Sequence, residues 1–131
     1  MGKSYYWVAL VLALTGCGAP VVAVAPGFTP VMLQGRAGGR VASGLCGYIG
    51  RRPNHRLQVS ADLDYAKLRV TSPAVVTLWV KGPDGVFCAT PIQTRPAQIS
   101  GYWKAGTYDL FIGSPAPNTL PNYQLLLTTE R

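Results

Sequence analysis

Three side-chain types in this chain could carry chemistry: cysteine at positions 17, 46 and 88, one histidine at 55, and two closely spaced carboxylates in Asp62-Leu63-Asp64. A lone histidine cannot complete a typical zinc site without cysteine or carboxylate help. As a general base, His55 would need a positioned nucleophile, and no Gly-x-Ser-x-Gly elbow occurs. Asp62 and Asp64 would share one face of an extended chain, where they could ligate a cation or pair as acid and base. No third acid clusters with them, and a working dyad needs a pocket that separates its two pKa values, so a solvated turn is expected instead. The expectation is therefore a non-enzymatic protein with no metal and no cofactor, and His55 is read as a strand-edge residue.

The cysteines divide by position. Lys3 precedes an uncharged run, YYWVALVLALTG, that ends at Gly16. Such a run is shorter than the ~20 residues of a spanning helix but has the length of a secretory leader's apolar region. Leu14-Thr15-Gly16-Cys17 resembles the lipobox of bacterial lipoproteins. That resemblance implies cleavage before Cys17, acylation of its thiol, and the lipid bilayer as a partner. Gly18, rather than an aspartate, implies sorting to the outer membrane, with the inner membrane as the lesser expectation. The alternative is a plain leader cut near Ala23 or Ala25. With Cys17 lipidated, Cys46 and Cys88 remain as an even pair in an oxidising compartment. Their expected disulfide closes a loop of about 42 residues, for which chain entropy gives about 4 kcal/mol; the alternative is two buried free thiols.

Twelve Lys and Arg against five Asp and Glu give a formal charge of +7 over 131 residues, which favours anionic surfaces and polymers. Nucleic acid is not expected, because no reading module is present and an exported chain rarely meets it. The basic concentration comprises Arg51, Arg52, Arg56, Lys67 and Arg69. If the strands carrying Arg56 and Lys67-Arg69 pair, these side chains merge into one strip suited to lipopolysaccharide phosphates, anionic lipid, peptidoglycan carboxylates or an acidic partner. The alternative is a solvated sheet face whose charges block edge aggregation. Trp79, Tyr102 and Trp103 could form a platform for a sugar ring, or serve as core packing.

The elements that must position these residues are strands. HRLQVSA (55–61) alternates Leu57 and Val59 against Arg56, Gln58 and Ser60, and AKLRVTS repeats the pattern with Leu68 and Val70 inward. In AVVTLWVKGPDGVFCA, Val76, Leu78 and Val80 share a face before a Gly82-Pro83-Asp84-Gly85 turn that predicts a hairpin. GTYDLFIGS places Tyr108, Leu110 and Ile112 together, and NYQLLLTTE does the same for Tyr123, Leu125 and Leu127. SPAPNTLPN between these two is expected to be a connecting loop. Six or more short strands with regular turn signals predict an all-β antiparallel sandwich. The expected division is a leader over 1–16, the lipidated cysteine and a flexible tether over 17–34, and the domain over 35–131; the alternative for Val21-Val22-Ala23-Val24 is an edge strand of the domain.

Three stretches, SGLCGYIGRRPNHRLQVS, VTLWVKGPDGVFCA and ISGYWKAGTYDLFIGS, resemble the bacterial pre-peptidase C-terminal domain, from about Gly44 to Leu127. The resemblance implies a jelly-roll-like, non-catalytic accessory domain. Many members carry acidic residues where this chain has Ala74-Val75-Val76 and Ala89-Thr90-Pro91. A calcium site of the kind seen in some members is therefore not expected, since Ca²⁺ prefers carboxylate oxygens. The expected function is an envelope lipoprotein acting as an accessory or assembly module for a membrane-associated complex. The alternative is a module that binds peptidoglycan, lipopolysaccharide or carbohydrate through Arg51, Arg52, Arg56, Lys67, Arg69, Trp79 and Trp103.

Overall fold

A computed structural model describes residues 19–131; the leader and Cys17 lie outside the described residues. Eleven strands form among them: β1 Val21–Val24, β2 Val31–Arg36, β3 Val41–Ala42, β4 Tyr48–Ile49, β5 His55–Val59, β6 Leu63–Thr71, β7 Thr77–Gly82, β8 Gly85–Ala89, β9 Gln98–Trp103, β10 Gly106–Gly113 and β11 Asn122–Thr128. A five-stranded sheet in the order β1-β5-β10-β7-β8 packs on a four-stranded sheet in the order β2-β11-β6-β9, and β3 and β4 make a small ribbon.

The period-two alternation predicted in the sequence explains the two layers. Leu57, Leu78, Leu110 and Ile112 enter the core from one sheet, and Leu68, Val70, Leu125 and Leu127 meet them from the other, all essentially without solvent contact. Full burial of each such side chain contributes about 1.5–3 kcal/mol. The expected hairpin is present, with Gly82 opposite Gly85 across Pro83 and Asp84. Every pairing is antiparallel except that of β1 with β5. Some thirty residues separate those two strands, and a connection of that length permits a parallel return that a tight hairpin forbids.

Two expectations are corrected. The segment 17–34 is in its described part not a tether: Val21–Val24 takes the alternative and edges the five-stranded sheet as β1, and β2 pairs with β11 from Val31 to Arg36. In β2 the inward residues are Val31, Leu33 and Gly35, and Met32, Gln34 and Arg36 face out. His55 is not at a sheet edge; it opens β5, which is flanked by β1 and β10, and only 6% of it is exposed.

Each sheet lays a tyrosine across a glycine of the neighbouring strand. In the five-stranded sheet Tyr108 stands opposite Gly82, and an added Cβ there would overlap the tyrosine ring. In the four-stranded sheet Tyr123 stands opposite Gly35, whose added Cβ would lie 2.8 Å from the Tyr123 hydroxyl. In each case the tyrosine occupies the space that a side chain on the partner strand would take.

Candidate functional site

The outer faces of the two sheets differ in what covers them. On the five-stranded sheet, Cys46 bonds Cys88 across 42 residues, with the Cα atoms 5.8 Å apart. The loop carrying Cys46 is stitched down by Thr77 Oγ1, which donates to the Cys46 carbonyl at 2.7 Å, and by reciprocal backbone bonds between Tyr48 and Ser114. Next to the disulfide, Trp79 lies on Phe111 with ring centroids 5.0 Å apart. Arg56 Nε donates to Asp109 Oδ1 at 2.7 Å across β5 and β10. That hydrogen bond and the carboxylate's charge raise the arginine's pKa above its ordinary value.

The outer face of the four-stranded sheet is open. Its rows run Arg36 and Asn122; then Gln34, Gln124 and Thr71; then Met32, Leu126, Arg69 and Gln98; then Lys67 and Ser100, beside a buried Thr128. Among the described residues the ion pairs are Arg56 with Asp109 and Lys104 with Asp84, so none involves Arg36, Lys67 or Arg69. Asp64, the acid of this face, sits at the other end of β6, where the β6–β9 register shifts between Leu63 and Ala66. At the Arg36 end the face opens into a cleft of ≈ 750 Å³ bounded by Gln34, Arg36, Thr71, Ser72, Asn122 and Gln124. Ser72 Oγ donates to the Asn122 carbonyl at 2.6 Å and holds the β6 exit beside β11. Side-chain amides supply both donors and acceptors, hydroxyls do the same, and the guanidinium supplies charge. Such a set recognises hydroxyl, acetamido and carboxylate or phosphate groups.

Beneath this end, Tyr123 Oη and His55 Nε2 are 2.7 Å apart, and His55 Nδ1 has no partner among the described residues. Placing the proton on Nε2 makes Nδ1 an orphan acceptor, which is tolerated better than an orphan N–H. Burial lowers the His55 pKa below 6.5 and pushes the Tyr123 hydroxyl up to about 12, against a side-chain hydrogen bond from Asn54 that lowers it. The imidazole is a core group here.

The basic strip expected from the sequence is divided. Arg56 lies on β5 and Lys67 and Arg69 on β6, and these strands belong to different sheets and do not pair. Arg51 and Arg52 stand in the β4–β5 loop. Trp103 is buried rather than presented, and its Nε1 donates to the Ala66 carbonyl at 3.0 Å. Trp79 keeps a partly exposed edge. Asp62 and Asp64 do not act as a pair: Asp62 accepts from Tyr102 and, at 2.8 Å, from the Ala105 N–H, and Asp64 points outward from β6. Those two bonds, the tyrosine's first, lower the Asp62 pKa. Among the described residues no three His, Cys, Asp or Glu side chains converge on a metal position. Missing from the sequence reading were Gln34, Arg36, Asn122 and Gln124; their signal was the polar phase of two strands, which without pairing information marks only a solvated face.

No family model matches the sequence. The fold is similar to the pre-peptidase C-terminal domain of collagenase from Bacillus anthracis, with a TM-score of 0.55 and 11% identity over 87% of this chain and 100% of that one. The resemblance seen in the sequence thus extends to the fold. A periplasmic inhibitor of g-type lysozyme from Aeromonas hydrophila, PliG, aligns with a TM-score of 0.44 and 12% identity over 86% of this chain and 100% of that one. The uncharacterized protein Synpcc7942_2126 of Synechococcus elongatus is 35% identical over 102 residues, spanning 75% of each chain. At that identity and coverage, the chain belongs to one family with the Synechococcus elongatus protein.

Proposed function

We propose that this protein is a non-catalytic module of the bacterial envelope that binds an anionic glycan on the outer face of its four-stranded sheet. The observation that carries the reading is one open face holding Arg36, Lys67 and Arg69 outside every ion pair among the described residues, beside an amide-lined cleft. Cations draw in a polymer's carboxylates or phosphates, and the amides and hydroxyls of the cleft then read its sugar hydroxyl and acetamido groups. In this reading an acylated Cys17 holds the module at the outer membrane, where peptidoglycan and lipopolysaccharide lie within reach. The binding role is favoured over that of an assembly subunit, because the cleft beside these cations is bounded by amide, hydroxyl and guanidinium side chains, whereas lasting protein interfaces have apolar centres.

Retention of the full chain on purified sacculi and on lipopolysaccharide micelles tests this, with and without Cys17→Ser to separate lipid anchoring from glycan binding. Retention on one of the two polymers is expected, falling steeply as salt rises. The double variant Lys67→Glu, Arg69→Glu should lower it by about tenfold or more, and Arg51→Glu in the β4–β5 loop should leave it unchanged. Salt-independent retention, or retention indifferent to the double variant, would sink the reading. A stoichiometric protein partner that survives high salt would favour the assembly role instead.

A further inference from the structure

The chain has five acidic residues in a protein of charge +7, and three of them, Asp62, Asp64 and Asp84, gather around one aromatic cleft. The cleft lies between β8 and β9, the edge strands of the two sheets. Trp103 and Tyr108 form its floor, packed edge to face with ring centroids 5.0 Å apart. Phe87 and Tyr102, which are 47% and 59% exposed, flank its mouth, and Asp84 stands at the rim. Tyr102 is hydrogen-bonded to Asp62, and that bond first, then burial, then the charges of Asp62, Asp64 and Asp84, raise its pKa. The mouth therefore sits in a local negative field. Lys104 reaches the rim with Nζ 3.7 Å from Asp84 Oδ1, and both side chains are more than half exposed. An intramolecular cation is thus loosely parked where a cation is favoured.

Two further features identify the occupant. The cleft holds ≈ 160 Å³, below the ~300–1,000 Å³ of pockets that enclose a whole small molecule, so it suits the end of a side chain. The strand beside it, β8, pairs only with β7, and its other edge is unpaired among the described residues. A free strand edge recognises extended polypeptide through main-chain hydrogen bonds, and an adjacent pocket then selects alternate side chains.

We propose that this cleft binds an arginine or lysine side chain of an extended partner polypeptide that lies along the free edge of β8. The cation sits between the faces of Phe87 and Tyr102 and against Asp84, displacing Lys104. The site is distinct from the Arg36 end of the glycan face and adjoins its Lys67 end through Ser100, which lines the cleft.

The test is titration of the ¹⁵N-labelled full chain with the peptide acetyl-Val-Arg-Val-Arg-Val-amide and with its counterpart carrying neutral citrulline at both arginines. Saturable shifts are expected at β8 amides and the Trp103 indole N–H, with the arginine peptide bound about tenfold more tightly. Asp84→Asn should weaken the arginine peptide about five- to tenfold and leave the citrulline peptide unchanged. Lys104→Ala should tighten it, because the resident competitor is gone. Equal binding of the two peptides, shifts that map elsewhere, no saturable shift at millimolar peptide, or weaker binding by Lys104→Ala would each overturn the assignment. Arg36→Glu, at the opposite end of the glycan face, should lower glycan retention and not alter peptide binding, so the two sites fail separately.

Discussion

The two sheets use the same raw materials in opposite ways. In the five-stranded sheet several outward groups are spent on one another: Arg56 on Asp109, Trp79 on Phe111, and Cys88 on the loop held by Cys46. In the four-stranded sheet most outward groups of β2, β6 and β11 are at least partly open to solvent, and Arg36, Lys67 and Arg69 face it without carboxylate partners among the described residues. A small sandwich has little margin, since a domain of this size buries only about two thirds of its unfolded surface. Stapling one outer face supplies stability that lets the other remain free for a ligand. The comparison predicts that damage to the five-stranded side costs stability, whereas surface changes on the four-stranded side cost binding.

Removing the staple should have the largest effect. Cys46→Ser with Cys88→Ser opens a 42-residue loop and is expected to cost about 4 kcal/mol on the chain-entropy estimate. Urea unfolding of the variant, and of the wild type under reductant, should show the same drop in midpoint. If both lose less than about 1 kcal/mol, the five-stranded face is not held by its disulfide and the contrast between the faces fails.

The paired glycines offer a direct contest between the sheets. Gly82→Ala drives a methyl into the ring carbons of Tyr108, which is backed by Trp103 and cannot retreat. Gly35→Ala meets mainly the hydroxyl end of Tyr123, 2.8 Å away. Overpacking a core costs about 1–3 kcal/mol, with Gly82→Ala expected near the upper end and Gly35→Ala near the lower. Denaturation midpoints that rank the two in reverse would show that the Tyr108 side is the more pliable one.

Much of the framework was legible because it rests on local alternation. Leu57, Leu68, Val70, Leu78, Leu110 and Leu125 all take the inward phase read from the sequence, and Pro83-Asp84 makes the predicted turn. The strands that escaped notice carry disguises. In β9, Ser100 and Gly101 dilute the apolar phase, and β2 follows a proline-rich stretch that reads as a tether until β11 is known to pair with it. The site was less legible because it depends on which strands are neighbours. Arg56 and Arg69 have the same outward phase, yet one lies on each sheet, and only topology assigns them to opposite faces. Likewise an exposed and a buried tryptophan look alike in sequence; Trp103 turns inward at the end of β9 and finds the Ala66 carbonyl.

Where the two sheets meet, His55 from β5 and Tyr123 from β11 form a polar contact whose titration should report on both at once. His55 is held neutral by burial, so its folded pKa lies below the unfolded 6.5. Between those two values the unfolded chain binds a proton that the folded chain refuses, and stability falls as pH drops through that window. The slope can reach about 1.4 kcal/mol per pH unit for one proton. At the alkaline end the sign reverses: Tyr123 keeps its proton up to about 12 in the fold against 10 unfolded, so stability falls as pH rises from 10 towards 12. Urea unfolding across pH should therefore decline on both sides of a plateau. Because the chain has one histidine, His55→Gln should flatten the profile as pH falls below 6.5, whereas Tyr123→Phe should flatten the Tyr123 contribution above pH 10. A slope near pH 6 that survives His55→Gln would mean that the imidazole is solvated in the folded protein. The four-stranded sheet would then be as loosely closed on its inner face at this end as it is open on its outer one.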